Sequence, residues 1–566
     1  MHHARLPAPG SHGLRAALAS LLLAVAPGAP AAPVARSCSS LLKFSMPGQT
    51  IVMAEARDIP ADAAKALPAH CRVAGTLAPR RDPAGKTWGI RFAVSLPAAW
   101  NGGFLFQGGG GLNGSVAEPI GAQFAGDRPA LARGFAVATT DSGHEGAPFD
   151  ASFFADQQAA IDFLYQGVAR TTIVAKEIIA RHYGKSSARS YFVGCSTGGR
   201  EAMLMSQRFP DYFDGIVAGA PAMRTSFSNL GLRHLTLALN AIAPRDAAGN
   251  PLTREALDDD DRRLVVRGVL DACDARDGRK DDFIFATAAC DFDPATLRCP
   301  AAKRAGCLST AQVDAVRAVM AGPRTESGLQ VYPGYWYDTG IANTRGLPGI
   351  LAGPIIPEGA VTGSTMNVEA AAATAMDARA MLGDTNAWTN LGTFRGHGGK
   401  LVFVHGVSDP WFSARDTVDY YQRLARDNAD VPIADWSRLF LVPGMGHCAG
   451  GERTLDHFDL LGAIVDWVER KQPPDRVIAT GASAPGESRP LCPWPAYARY
   501  DRGDARDAGS YRCVTSESRT TRSAGDPAST GRRVDSFAAT GAAASPRSSE
   551  SPAAPDSGVA RRFREW

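Results

Sequence analysis

Residues 191–204 of this chain read Tyr-Phe-Val-Gly-Cys-Ser-Thr-Gly-Gly-Arg-Glu-Ala-Met-Leu. The first three residues are typical of a buried strand, and the residues from Arg200 onward are typical of a helix. Between them lies a Gly-X-Ser-X-Gly pattern, the strand-to-helix turn called a nucleophile elbow. The turn predicts that Ser196 is an exposed nucleophile, although an ordinary glycine-rich turn has the same spacing. Cys195 is the less favoured nucleophile because the elbow presents the serine.

Short β-rich segments alternate with helix-like segments on both sides of this turn. Helical spacing of apolar residues covers Ile161–His182 and Arg200–Gln207. The predicted strands are Ile90–Leu96, Phe104–Gln107, Phe135–Thr139, Ser190–Gly194, Ile216–Ala218, Leu401–His405 and Arg438–Val442. This alternation predicts an α/β fold in which crossover helices connect the strands of one sheet. Together with the elbow, it indicates an α/β-hydrolase core.

The alternation stops between residues 223 and 395, where four of the cysteines and an acidic cluster occur. We therefore predict a large inserted lid domain over residues 223–395. The strands resume at Leu401, so a catalytic domain built from residues 32–222 and 396–513 is expected to share one sheet. Residues 514–566 are rich in Ser, Ala, Arg, Thr, Gly and Pro, a composition that predicts a disordered tail.

Residues 1–31 predict a secretory signal peptide. Arg5 and Arg15 are basic, and Ala29-Pro30-Ala31 ends in small residues. Between them, Leu14 to Ala26 carries the apolar run of Leu18, Leu21, Leu22, Leu23 and Val25. The apolar run is too short to span a bilayer, and no later stretch is long enough. We expect a secreted or periplasmic protein without a membrane span.

The composition is that of an ordinary globular protein, with 45% hydrophobic and 21% charged residues. The 566 residues include 60 basic and 57 acidic side chains, which leave a formal charge of +3. Electrostatic binding of nucleic acid needs a larger and clustered basic excess. Nucleic acid is therefore not an expected partner.

A nucleophilic serine needs a histidine base and a carboxylate that orients it. In the α/β-hydrolase order the acid follows a late strand and the histidine comes last. Asp409 follows the predicted strand Leu401–His405, and His447 follows Arg438–Val442. The sequence thus predicts a triad of Ser196, Asp409 and His447. The alternatives are Asp416 for the acid, and His405 or His144 for the base.

The chain has ten cysteines, an even number that agrees with an oxidising compartment. Cys195 precedes the candidate nucleophile and Cys448 follows the candidate base. If the triad forms, these two cysteines lie within a few ångströms of each other and should bond. Spacing alone leaves the other connectivities open, although Cys273/Cys290, Cys299/Cys307 and Cys492/Cys513 are close in sequence.

Two loops carry further candidate sites. Gly108–Gly111 follows a predicted strand, and consecutive glycines let a backbone N–H approach a reacting carbonyl. A phosphate-binding loop is disfavoured because no Gly-Lys-Ser/Thr ending follows. Between Cys273 and Phe283, aspartates surround a glycine turn, a pattern that fits either a calcium site or a solvated acidic loop. The run Asp258–Asp261 is better explained as charge at a helix N-terminus.

Taken together, the segments Tyr191–Ala222, Arg438–Gly451 and Leu491–Tyr500 resemble the tannase and feruloyl esterase family of secreted α/β-hydrolases. The marker of the resemblance is the order Cys-Ser, then Asp, then His-Cys, and the similarity extends from about Cys38 to Cys513. The chain is similar also to the bacterial mono(2-hydroxyethyl) terephthalate hydrolases of that family. In the stretch Tyr332–Arg395, however, where family members place their acyl-group selectors, the chain is short and no arginine or phenylalanine aligns clearly, which counts against terephthalate monoester activity.

The resemblance implies roles for further residues. The oxyanion amides are those of Gly111 and Thr197, and His405 and Phe412 lie near the aromatic ring of the substrate. Structural calcium is implied in the lid, with ligands from the side chains of Asp274, Asp277 and Asp281 and the carbonyls of Arg279 and Phe283. The implied disulfides are Cys38–Cys71, Cys195–Cys448, Cys273–Cys290, Cys299–Cys307 and Cys492–Cys513.

These observations predict a serine carboxylesterase that acts on small aromatic esters, of the hydroxycinnamic or gallic acid type. Two alternatives remain. One is an esterase similar to the mono(2-hydroxyethyl) terephthalate hydrolases. The other is a non-catalytic exported protein that uses the same scaffold to bind a ligand.

Overall fold

A nine-stranded mixed sheet forms the centre of the computed structural model, which describes residues 36–344, 347–353 and 361–515. The predicted signal peptide, and the predicted tail apart from its first two residues, lie outside the described residues. In chain order the strands of the sheet are β1 (Ile51–Ile59), β2 (His70–Arg81), β3 (Thr87–Pro97), β4 (Gly103–Gln107), β5 (Ala136–Thr140), β6 (Arg189–Cys195), β7 (Gly215–Gly219), β8 (Lys400–Gly406) and β9 (Ser437–Val442). All seven predicted strands are therefore present, and β1 and β2 are additional.

The strand order across the sheet is β1-β2-β3-β5-β4-β6-β7-β8-β9. The pairs among β1, β2, β3 and β5 are antiparallel, and every pair from β5 through β4 to β9 is parallel. Successive residues of β4 enter different cores: Phe104 and Phe106 pack on one face of the sheet, and Leu105 packs on the other. The parallel strands are therefore buried on both faces, which explains why they read as continuous apolar runs.

Helices cover both faces of the sheet. In chain order the helices are α1 (Gln157–Ile161), α2 (Gly167–Tyr183), α3 (Thr197–Arg208), α4 (Thr225–Asn240), α5 (Asp259–Cys273), α6 (Thr310–Ala321), α7 (Val368–Ala375), α8 (Ala378–Leu382), α9 (Gly392–Gly396), α10 (Ala414–Asp427) and α11 (Leu460–Arg470). Ile178 of α2, Leu204 of α3 and Leu424 of α10 join the core on the side of Phe104. Ile464 and Trp467 of α11 join the core on the opposite side.

Residues 220–399, between β7 and β8, hold α4 to α9. Their described part contains no strand of the sheet, as the sequence predicts, and builds a core of its own around Val265, Val316 and Ile341. Asp258 caps α5 by accepting the N–H of Asp261 at 2.7 Å, which agrees with the helix-terminus explanation of this acidic run. Whether this segment acts as a lid domain stays a prediction.

Five disulfides use all ten cysteines, and they are the five pairs that the family resemblance implies. Two of them lie within the segment between β7 and β8. Cys492–Cys513 joins the C-terminal hairpins, whose strands are β10 (Val477–Thr480), β11 (Ser488–Leu491), β12 (Tyr497–Tyr500) and β13 (Tyr511–Val514). No helix within the described ranges combines the length and the apolar character needed to cross a membrane.

The disulfides should contribute to stability according to the length of chain that each closes. Cys195 and Cys448 are 253 residues apart, whereas Cys299 and Cys307 are 8 apart. The chain-entropy relation predicts that the Cys195→Ala/Cys448→Ala variant loses about 5 kcal/mol of unfolding free energy, against about 2.5 kcal/mol for the Cys299→Ala/Cys307→Ala control. Thermal unfolding of the two variants checks this order, and an equal or larger drop in the control would contradict it.

Candidate active site

Ser196 lies in the turn between β6 and α3 with φ 63° and ψ −123°, a sparsely populated conformation for a residue with a side chain. The turn needs its two glycines because there is no room for a Cβ. A Cβ on Gly194 would lie 2.5 Å from the carbonyl oxygen of Gly198, and one on Gly198 would lie 2.6 Å from the carbonyl oxygen of Gly109. The N–H of Ser196 donates to Gly219 O at 3.0 Å, which fixes the turn to the next strand. The predicted elbow is therefore present.

The Asp409 carboxylate, which has no exposed surface, accepts a hydrogen bond from the His447 ring. Its Oδ2 lies 2.7 Å from His447 Nδ1, and its Oδ1 accepts the N–H groups of Trp411 and Phe412 at 2.8 and 3.0 Å. Burial alone would raise the pKa of Asp409, but the two neighbouring imidazoles, of His447 and His405, outweigh it and lower the pKa below its usual range. Because Nδ1 faces the carboxylate, Nε2 of His447 is the nitrogen available to accept a proton.

His405 supports the same carboxylate from β8. Its Nε2 lies 3.2 Å from Asp409 Oδ2 and 2.9 Å from Phe412 O, and its Nδ1 lies 2.8 Å from Thr417 Oγ1. The side chain has no exposed surface. In this structure His405 therefore positions the carboxylate, and a direct contact with substrate stays a prediction.

The Cys195–Cys448 disulfide brings the two halves of the candidate triad together. Its Cα atoms are 6.0 Å apart. Ser196 and His447 each adjoin one of these cysteines in sequence, so the bond holds the serine turn beside the histidine loop. Of the three competing residues, His405 contacts Asp409, and the other two make different contacts. Asp416 pairs with Arg224, and His144 stacks on Phe153 with centroids 3.7 Å apart, where burial lowers its pKa to about 4.

The glycine-rich loop packs directly against the elbow. The N–H of Gly198 donates to Gly109 O at 3.1 Å, and a Cβ on Gly108 would lie 2.8 Å from the Cα of Gly198. Thr197 Oγ1 donates to the carbonyl oxygen of Gly111, which has φ 58°. The two residues predicted to supply oxyanion amides are therefore in direct contact with each other.

Glu201, one helical turn after Thr197 in α3, holds this loop in place and was missed in the sequence. Its buried carboxylate accepts the N–H of Gly109 at 2.9 Å, Asn113 Nδ2 at 2.8 Å and Ser142 Oγ at 2.9 Å. A buried carboxylate is costly unless it is hydrogen-bonded, and three donors meet this one. The only signal in the sequence is a charged residue inside an otherwise buried helix.

Asp338 is a second residue that sequence reasoning missed. It comes from the segment between β7 and β8 and has no exposed surface. Its Oδ2 accepts Ser408 Oγ at 2.7 Å and the N–H of Gly444 at 2.7 Å. Ser408 immediately precedes Asp409, and Gly444 lies in the loop that carries His447. Asp338 therefore connects the acid loop to the histidine loop, and burial raises its pKa.

Aromatic rings border the histidine. The Phe412 ring meets the His447 ring edge-on with centroids 5.2 Å apart, and the Trp411 ring lies 5.7 Å from it. Phe149 stacks on Trp411 at 5.2 Å and is 59% exposed. Of these rings only Phe412 was named from the sequence.

The acidic loop that follows α5 offers oxygen ligands to a hard cation. Asp274 and Asp277 are buried and accept only backbone N–H groups, whereas Asp281 Oδ2 pairs with Arg489 at 2.7 Å. Burial, with Asp281 and Asp274 nearby, raises the pKa of Asp277 to about 7. This donor set fits calcium at Asp274 and Asp277. Among the described residues, however, no group of three or more metal-ligating side chains converges.

Comparisons with known proteins agree on one family. The sequence profile described as tannase and feruloyl esterase matches residues 71–378 and 364–514. The mono(2-hydroxyethyl) terephthalate hydrolase of Piscinibacter sakaiensis is 36% identical over 80% of this chain and 86% of its own length. A probable feruloyl esterase B-2 of Aspergillus terreus is 29% identical over 75% of this chain and 83% of its own length.

Two solved structures are similar in fold. Feruloyl esterase B of Aspergillus oryzae superposes with a TM-score of 0.68 at 26% identity, covering 84% of this chain and 99% of the other. The tannin acyl hydrolase of Aspergillus niger gives a TM-score of 0.60 at 20% identity, over 82% and 90% of the two chains.

Removing the Asp338 carboxylate should loosen both loops. We expect Asp338→Ala to lower the free energy of unfolding by about 2–4 kcal/mol, because the buried Ser408 hydroxyl and the buried Gly444 N–H lose their shared acceptor. Asp314→Ala is the control, since Asp314 is an exposed aspartate of the same segment. Melting temperatures compare the two variants, and equal values would refute the role given to Asp338.

Proposed function

This chain belongs to the tannase and feruloyl esterase family of carboxylic ester hydrolases, and we propose that it is a secreted serine carboxylesterase acting on aromatic acid esters. The acids in question are of the hydroxycinnamic or gallic type. The observation that carries the proposal is the hydrogen bond between Asp409 and His447, held beside Ser196 by the Cys195–Cys448 disulfide.

In the proposed reaction Ser196 Oγ attacks the ester carbonyl carbon while His447 Nε2 takes its proton. The tetrahedral oxyanion receives hydrogen bonds from the N–H groups of Thr197 and Gly111. His447 then gives the proton to the departing alcohol oxygen, and the acyl group stays on Ser196. A water molecule, deprotonated by His447, releases the acid and restores the serine.

The charge distribution suits this sequence of steps. Asp409 remains a carboxylate throughout, since its pKa is held low by His447 and His405, and it stabilises the imidazolium that forms. The strand order from β2 to β9 supports an α/β-hydrolase core, in which the nucleophile and its partners follow parallel strands. His405 and Phe412 remain proposed neighbours of the aromatic ring of the substrate.

One observation supports a second candidate substrate, a terephthalate monoester. The relative named mono(2-hydroxyethyl) terephthalate hydrolase is 36% identical to this chain. Hydrolysis of terephthalate monoesters is therefore the second candidate activity. The non-catalytic alternative, a ligand-binding protein on the same scaffold, is disfavoured because Ser196, Asp409 and His447 are all retained.

Export and calcium are further parts of the proposal. Five disulfides in one chain suit an oxidising compartment outside the cytoplasm. Calcium would be held by the side chains of Asp274, Asp277 and Asp281 and the carbonyls of Arg279 and Phe283, where it would neutralise buried carboxylates and stabilise the loop. It takes no part in the proposed reaction steps.

Replacing the nucleophile should abolish turnover. We expect Ser196→Ala to lower kcat for methyl ferulate by about 10⁶-fold, because the acyl-enzyme cannot form. Ser186→Ala, at an exposed serine, should keep wild-type rates.

Methyl ferulate, methyl gallate and mono(2-hydroxyethyl) terephthalate, assayed by released acid, identify the acyl group. Undiminished turnover by Ser196→Ala would overturn the mechanism, and a wild-type protein that neither turns over any ester nor reacts with a fluorophosphonate would favour the binding protein.

Calcium removal should destabilise the fold. If the site is filled, excess chelator should lower the melting temperature, and calcium should restore it. Binding at about 100-fold excess of free ion over Kd adds about 2.7 kcal/mol to the free energy of unfolding. Asp277→Asn should be insensitive to chelator, whereas Asp260→Asn, at an exposed position of the helix-terminal cluster, should respond as wild type does. A melting temperature of the wild-type protein that does not change with chelator would rule out the site.

A further inference from the structure

Phe149 has a backbone conformation that disfavours its own side chain. It lies in the four-residue turn Ala147–Asp150, which the N–H of Asp150 closes by donating to Ala147 O at 3.1 Å. Pro148 is the second residue of this turn, and Phe149, with φ 70°, is the third. The third position of such a turn, with proline second and positive φ third, normally holds glycine or asparagine. A bulky aromatic residue there is a strained outlier. It is also 59% exposed, so its ring is not held there by burial in a core.

The Phe149 ring lies between the loop of Gly111 and the ring of Trp411. A Cβ built on Gly111 would lie 3.7 Å from the Phe149 ring, so the ring covers the loop of the proposed oxyanion amide. On its other side the ring stacks on Trp411 with centroids 5.2 Å apart and an interplanar angle of 28°. The Trp411 ring in turn lies 5.7 Å from the His447 ring, and the backbone N–H of Trp411 donates to Asp409 Oδ1.

The turn that carries Phe149 is tied to the glycine-rich loop by main-chain hydrogen bonds. The N–H of Gly146 donates to Gly114 O at 3.1 Å, and the N–H of Gly114 donates to Asp141 O at 3.1 Å. A Cβ on Gly114 would lie 2.8 Å from Gly146 O, so the two loops are in close backbone contact. The Phe149 ring is therefore positioned by the same loop that positions Gly111.

The orientation of the ester in the proposed reaction indicates which part of the substrate faces the Phe149 and Trp411 rings. With the carbonyl oxygen facing the amides of Gly111 and Thr197, the leaving oxygen must face His447, which protonates it. The Phe149–Trp411 stack lies along this line, from Gly111 to His447. A group attached to the leaving oxygen would then be directed toward the stack.

We propose that Phe149 and Trp411 form the binding surface for the alcohol part of the ester and select alcohols that carry a flat apolar ring face. This inference rests on the proposed esterase function. The stack supplies a broad apolar surface with little conformational freedom, and a ring packed on it gains both area and a favourable stacking geometry. The strained turn is then explained, because it holds the ring over the leaving group.

Esters that share one acyl group and differ only in the alcohol test the proposal. The wild-type enzyme should have a higher kcat/KM for benzyl ferulate than for methyl ferulate. In Phe149→Ala this ratio should fall about fivefold to tenfold, mainly through KM for the benzyl ester, whereas Phe149→Tyr should retain it. Trp388→Ala is the matched control, since Trp388 is a 50% exposed aromatic residue whose Nε1–H bonds only to Asn390 O.

Phe149→Gly separates a role in binding from a role in folding. Glycine relieves the positive φ, so the melting temperature should stay close to that of wild type while the selectivity ratio falls as in Phe149→Ala. A ratio that is unchanged in both variants would overturn the proposal. So would a change confined to acyl selectivity, read from methyl ferulate against methyl butanoate. Wild-type protein that hydrolyses neither ferulate ester would overturn the proposed function itself, which active enzyme with an unchanged ratio would not.

Discussion

A single covalent bond determines how the catalytic candidates meet. Cys195 ends β6 and Cys448 lies in the loop after β9, three strands away across the sheet, and their bond closes 253 residues of chain. A parallel sheet places the ends of these strands at one edge, but loops that leave such an edge are free to diverge. The disulfide removes that freedom at the positions next to Ser196 and His447. The sheet thus supplies approximate placement, and the disulfide narrows the relative positions of the two loops.

Buried carboxylates do the rest of the positioning. Glu201 holds the glycine-rich loop, Asp338 joins the acid loop to the histidine loop, and Asp409 orients the imidazole. Each carboxylate accepts two or more hydrogen bonds, which offset part of the cost of burying it. The positions of the loops around the site therefore depend on buried carboxylates.

The sequence predicted the parts of this site that follow a regular pattern. Strands buried on both faces, the glycine elbow and the order of Ser196, Asp409 and His447 all leave local signals, and the seven predicted strands are present within three residues of their predicted ends. β1 and β2 were missed because they mix apolar residues with Glu55, Arg57 and Arg72, as an edge of a sheet in contact with solvent permits. Asp338 and Phe149 were missed for another reason. Their roles depend on contacts between segments that are far apart in the chain, and no local pattern reports such contacts.

The position of Asp338 also bears on how the family could diversify. The segment between β7 and β8 is separate in sequence from the sheet, yet it contributes the buried acceptor that joins Ser408 to Gly444. A chimera that received this segment from a distant relative would need an equivalent acid at the same depth. Exchange of the segment between β7 and β8 is thus constrained by this buried contact as well as by the bonds of Tyr332 and Gly334 to Ser413.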